Sequence, residues 1–165
     1  MYSSVEANSK LRVNGSLCTS FHSTINVLEG LLEYEKATGG TPQSREAREA
    51  GEDYLLKRSL FRRLGTGAPA DERFLQFLHP NRWRYDVLRG LDYFRSASML
   101  ERTDPDPRLG EAIDHLRARR LEDGTWPLDW RLAGRVWFDM EDGPSEPSRW
   151  VTLRAMRVLR WWEQT

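Results

Sequence analysis

Apolar residues recur at helical spacing in five parts of this chain, and they alternate strand-like in one short piece, RVWFDME, at 135–141. The first helical pattern runs over about 20–37. There Ile25, Leu28 and Leu32 form a stripe that Leu31 widens, and Gly39-Gly40 followed by Pro42 ends it. A second pattern, about 44–63, opens with Ser44, Glu46 and Glu49 and closes with Arg62-Arg63, a polarity that suits the helix dipole. Residues 65–82 are marked as a loop by Gly, Pro and Asn, with a short apolar piece at Phe74, Leu75, Phe77 and Leu78.

The third helix is predicted over about 83–100, with Val87, Leu88, Leu91 and Phe94 on one broad face. The fourth, about 106–121, opens with Asp106 as N-cap and Pro107 at the first helical position. A loop over 127–147 leads to the fifth, 148–163. There Arg154, Arg157 and Arg160 form a polar stripe at spacing three and nearly everything else is apolar, which predicts an almost wholly buried helix with an ion-paired Arg face. Residues 1–17 have no helical period and read as an irregular N-terminal arm, leaving 18–165 as the helical domain.

Three of these patterns share a register. Val27-Leu28-Glu29-Gly30-Leu31, Val87-Leu88-Arg89-Gly90-Leu91 and Thr152-Leu153-Arg154-Ala155-Met156 each place a small residue between hydrophobic ones, about sixty residues apart. Glu49-Ala50 with Tyr54-Leu55 is echoed by Glu111-Ala112 with His115-Leu116. The chain therefore reads as a tandem repeat of helical hairpins, about two and a half copies long. Glycine inside a helix costs about 1 kcal/mol relative to alanine. Gly30 and Gly90, with Ala155, are accordingly expected where one helix closely approaches another.

Between the last two patterns lies Glu122-Asp-Gly-Thr-Trp-Pro. Asp123-Gly124 favours a tight turn, and Trp126 is placed to fold back and staple neighbouring helices. Ala112, Leu116, Asp123, Gly124 and Trp126 together resemble the repeat motif of the squalene–hopene and oxidosqualene cyclases, whose hairpin architecture the protein prenyltransferase β subunits share. The Gln usual before that turn is absent, and Glu122 lies nearby. With the repeat, the resemblance extends over about 18–163. It implies an all-α fold of about five main helices in a partial α/α toroid, with the first, third and fifth helices inner and the second and fourth outer.

A full toroid of that kind has about six hairpins, and a repeat stack exposes apolar ends unless capped. The expected arrangement is therefore the C-terminal part of something longer, or a half completed by a second copy. The resemblance also implies a cavity lined by the N-terminal ends of the inner helices. That places Phe21, His22, Trp83, Arg84, Tyr85, Asp86, Arg149 and Trp150 at equivalent positions, with Trp137, Asp139 and Glu141 as loop candidates. Aromatic faces in such a cavity stabilise carbocations, and a protonated carboxylic acid can start a cyclisation. Asp86 and His22 are the candidate catalytic residues, and an apolar, isoprenoid-like molecule is the candidate ligand. The competing reading of Asp86 is a structural ion pair with a nearby Arg.

The Asp-x-Asp-Asp acid motif of the cyclases is not present. The nearest string, Asp104-Pro-Asp106-Pro, belongs to a helix-start turn. Cys18 and His22 are four apart, but a zinc site takes three or four ligands and no third follows at a matching spacing, so neither metal nor cofactor is expected. No phosphate loop, dinucleotide fingerprint, nucleophile elbow or aspartate-rich diphosphate motif occurs.

Two other functions fit the same pattern. One is a non-catalytic helical-repeat module that docks a partner. The other is a carbohydrate-active α/α toroid, a lyase or hydrolase, using Trp walls and scattered carboxylates. Composition bounds them all. Lys+Arg and Asp+Glu are 25 each, so no basic footprint for nucleic acid or an anionic membrane exists. No run of eighteen apolar residues occurs, so no membrane span is expected. The single cysteine excludes an internal disulfide and the first twenty residues lack an apolar core, which together suggest the cytoplasm.

Overall fold

A computed structural model describes residues 11–13, 16–18, 20–134, 137, 138 and 143–164. Its main elements are five α-helices: α1 (Phe21–Thr38), α2 (Pro42–Leu56), α3 (Val87–Glu101), α4 (Gly110–Ala118) and α5 (Arg149–Glu163). Short 3-10 turns lie at Glu72–Leu75 and Pro107–Leu109. The fold class is all-α. Within the stretch read as an irregular arm, β1 (Leu11–Val13) and β2 (Ser16–Cys18) pair antiparallel with Leu11 opposite Cys18. The Asn14-Gly15 dipeptide between them is a strong two-residue hairpin signal, but three-residue strands are too short for periodicity to reveal. Backbone contacts divide the chain into two compact units, Met1–Tyr54 and Leu55–Thr165.

The first unit holds α1 and most of α2. Ser20 caps α1 by accepting the Ser23 N–H at 3.1 Å, and Gly39, left-handed at φ 82°, closes it by donating to the Glu35 carbonyl. Pro42 opens α2 instead of only ending α1. Thr41 and Ser44 exchange bonds, each hydroxyl accepting the other's backbone N–H at 3.1 and 3.0 Å, and proline occupies the first turn where its missing N–H is harmless. Ile25, Leu28 and Leu32 form the buried stripe of α1. The close approach between α1 and α2 falls at Gly51, where a Cβ would come within 2.8 Å of the Leu28 side chain. Gly30, expected to play that part, faces open space, with nothing within 4 Å of a Cβ built there. Arg48, 2% exposed, reaches across to Glu35 on α1 (3.0 Å) and along α2 to Glu52 (2.6 Å).

In the second unit, α3 packs against both α4 and α5. The sequence pattern carries the second helix to residue 63, but α2 ends at Leu56 because Ser59 and Leu60 adopt positive φ (44° and 67°). Tertiary burial accounts for the reversal. Leu60 is fully buried, and its carbonyl accepts the Tyr85 hydroxyl at 2.6 Å. Gly90 lies beneath that same hydroxyl, where a Cβ would stand 2.6 Å from the oxygen, so its close approach is to Tyr85 and Leu60. α3 starts at Val87, not residue 83, because Asp86 takes the N-cap and accepts the Arg89 N–H at 2.7 Å. Asp106 caps the 3-10 turn that runs into α4.

Trp126 is the staple of this unit. Gly124 turns the chain at φ 88°, and Asp123 fixes the turn by accepting the Thr125 N–H (2.9 Å) and hydroxyl (2.6 Å). The indole that follows is fully buried and donates Nε1–H to the Leu116 carbonyl at the end of α4, at 2.7 Å. Its backbone reaches α5: the Trp126 N–H donates to the Thr152 hydroxyl at 2.9 Å, and its carbonyl accepts the Ser148 N–H at 2.8 Å.

The expected burial of α5 does not hold. Val151, Ala155 and Val158 are its buried residues, whereas Trp150 (41%), Leu153 (48%) and Met156 (56%) are exposed. One flank packs inward and the opposite face is open.

Candidate functional site

Asp86 sits at the N-terminal end of α3 with no exposed surface. Its carboxylate accepts the Arg89 N–H (2.7 Å), the Asn81 side-chain amide (2.6 Å) and the Leu78 N–H (3.3 Å). Burial pushes its carboxyl above the usual carboxylate range, against the opposing pull of the Arg154 charge and of these donors. Asn81 links it to α5: Asn81 Oδ1 accepts from Arg154 Nη1 at 2.6 Å, and Arg154 Nε lies 3.5 Å from Asp92. Asp92 also pairs with Arg95 at 2.9 Å. Every polar contact of Asp86 thus fixes a loop and a helix start, and the nearby Arg154 connects to it through Asn81.

The neighbouring candidates divide by depth. Tyr85 is buried, with its ring edge-on to Phe74 at 5.1 Å. Trp83 is 55% exposed. Between Trp83 and Trp130 lies the Arg84 guanidinium, 4.9 and 4.8 Å from the two ring centroids. Trp150 stacks on His79 at 5.4 Å and 17° between planes. The loop before α3 and the start of α5 therefore do share a surface, with Arg149 exposed on α5 beside Trp150. Phe21 and His22 belong to the first unit. Phe21 is buried edge-on to Tyr54 at 5.6 Å, and the His22 carbonyl accepts the Asn26 amide at 2.6 Å. Asp139 and Glu141 lie outside the described residues. His115 on α4 is half-buried, its Nε2 2.9 Å from the Leu75 carbonyl.

Among the described residues no group of three or more His, Cys, Asp and Glu could hold a metal ion. No helix among them is long and apolar enough to cross a membrane. Among the described residues, concave surface lies along α5. A cleft of about 340 Å³ runs beside its N-terminal half, lined by Thr125, Arg149, Leu153 and Met156. A second, of about 350 Å³, runs beside its C-terminal half, lined by Trp126, Met156, Leu159 and Glu163. Sequence reasoning missed this face. The arginines at spacing three drew attention, while the spacing four-three-four-three of Arg149, Leu153, Met156, Arg160 and Glu163 was the signal that could have found it.

No family model, curated protein or solved structure matches the chain. The likeness to the cyclase and prenyltransferase hairpins accordingly rests on Ala112, Leu116, Asp123, Gly124, Trp126 and the repeat register alone.

Proposed function

We propose that this chain is a non-catalytic helical interaction module that docks a partner along the open face of α5. The observation that carries the reading is the exposure of Leu153 (48%) and Met156 (56%) at the centre of that face, with an open cleft on either side. Exposed apolar surface bordered by clefts and rimmed by charge marks an interaction site. Arg149, Arg157 and Arg160 supply the rim. The carboxylate best placed for acid chemistry by sequence, Asp86, is buried and committed to three hydrogen bonds, which favours a module over a cyclase.

The cyclase-like alternative needs a toroid closed around an aromatic cavity that takes an isoprenoid, and the carbohydrate alternative needs Trp walls that take sugar rings. Thermal unfolding of the purified chain with farnesyl diphosphate and with a cello-oligosaccharide separates the readings. A ligand that binds the native state raises the melting temperature with its concentration. The module reading expects no shift from either. A saturable rise with the isoprenoid, or with the sugar, overturns it in favour of the corresponding alternative.

A further inference from the structure

The open face of α5 is complementary to itself. Its exposed seam reads Arg149, Leu153, Met156, Arg160, Glu163, the alternating spacing by which one helix presents a stripe to another. Arg149 lies seven residues before Met156 and Glu163 seven after. Leu153 lies three before Met156, and Leu159, which lines the C-terminal cleft, three after. We infer that the partner is a second copy of this chain, its α5 antiparallel to the first, with a two-fold axis through Met156. This rests on the module reading and names its partner.

The two-fold sets Arg149 of each copy against Glu163 of the other, twice over. Leu153 of each stands over the other's C-terminal cleft, beside the aliphatic stem of Arg160, which can cover apolar surface while its head stays in water. Met156 meets its own counterpart at the axis, where a flexible thioether adapts to an irregular gap. The two clefts, about 340 and 350 Å³, lie on opposite sides of Met156, so each copy offers one to receive the other's Leu153. The contact is therefore isologous and closes as a dimer. A parallel pair would stack Arg149 on Arg149, Arg160 on Arg160 and Glu163 on Glu163, so the charges select the antiparallel arrangement. Glu163 already meets Arg117 at 3.3 Å, but that pair is exposed at both ends (45% and 59%) and exchanges readily with a new partner.

A helix of fifteen residues is about 22 Å long. A contact along it falls at the small end of the range for specific interfaces, roughly 1,200 Å² in total. The dimer should dissociate on dilution.

The test is sedimentation velocity and native mass spectrometry of the full chain over a wide concentration range, with far-UV dichroism and melting curves to show that each variant folds. Wild type should shift from monomer to dimer as concentration rises. Met156→Arg places two cations at the axis and should weaken the dimer at least about tenfold. Arg149→Glu and Glu163→Arg should each weaken it, and the double variant should restore it. A Met156→Arg chain that dimerises like wild type overturns the seam. Singles that weaken with a double that does not recover overturn the antiparallel register. A wild-type chain that stays monomeric at the highest concentration overturns the second copy as partner, while the module reading still stands or falls on the ligand shifts.

Discussion

Replacing Trp126 by phenylalanine tests the account of the second unit most directly. The substitution keeps an aromatic ring in the core and removes the Nε1–H that reaches the Leu116 carbonyl at 2.7 Å. That carbonyl lies in the last turn of α4, which ends at Ala118, so it belongs to the group of helix-end acceptors with no partner inside the helix. Without the indole it stays buried and unpaired, a cost of about 1–3 kcal/mol. The smaller ring leaves part of a fully buried site empty, which adds about 1 kcal/mol. Arg120, 5.4 Å over the ring, also loses the better cation partner, for about 0.5 kcal/mol at an exposed site. The sum is a loss of roughly 2.5–4.5 kcal/mol. Urea unfolding followed by far-UV ellipticity measures it, since the other six tryptophans would confuse a fluorescence signal. A loss below about 0.5 kcal/mol, the size of an ordinary surface change, would mean that Trp126 does not staple α4 to α5.

Gly30→Ala should stabilise the chain by about 0.5–1 kcal/mol, because a Cβ there meets nothing and the helix gains propensity. Gly90→Ala should instead destabilise it, because the Tyr85 hydroxyl 2.6 Å from the new Cβ is held by its bond to Leu60; equal effects from the two would refute the distinction, read from urea midpoints. Asp86→Ala removes a helix cap and strands the Asn81 and Leu78 donors, for about 2–4 kcal/mol in the same assay. Acid titration of stability has two opposing parts. Arg62 holds the Glu111 carboxyl below its ordinary 4.5, so that pair's stability is present above this value and lost as pH falls through the folded one. Asp86 is raised above 3.8, so its contribution is full below 3.8 and lost as pH rises through its folded value. Glu111→Gln should therefore flatten the acid-side loss of stability and Asp86→Asn should steepen it.

The helices were legible where local chemistry decides their ends. Asp106-Pro107 marks a start, Gly39 a stop, and Asp123-Gly124 a turn whose Trp folds back. Where tertiary contacts decide, the pattern misleads. Nothing local to Ser59-Leu60 announces a positive φ, which follows from the burial of Leu60 under Tyr85. The cap role of Asp86 explains both why α3 starts late and why that carboxylate is buried, and a carboxylate before an apolar run looks the same whether it caps or catalyses. The α5 face was hidden by composition. An apolar-rich helix predicts burial, but burial also needs neighbours on both flanks, which a linear sequence does not count. Trp83 and Trp130 are 47 positions apart and meet only through Arg84, a pairing no spacing rule contains.

The link from Asp86 through Asn81 to Arg154, and on to Asp92, fixes how α3 and α5 can move. Adjacent side-chain ridges allow two helices to slip past each other by one turn, about 5.4 Å. Here such a slip would carry Arg154 away from Asn81 and Asp92 together and break the link that ties the Asp86 cap to α5. The two helices therefore hold one alignment or separate altogether, and any motion of this unit should be all-or-none.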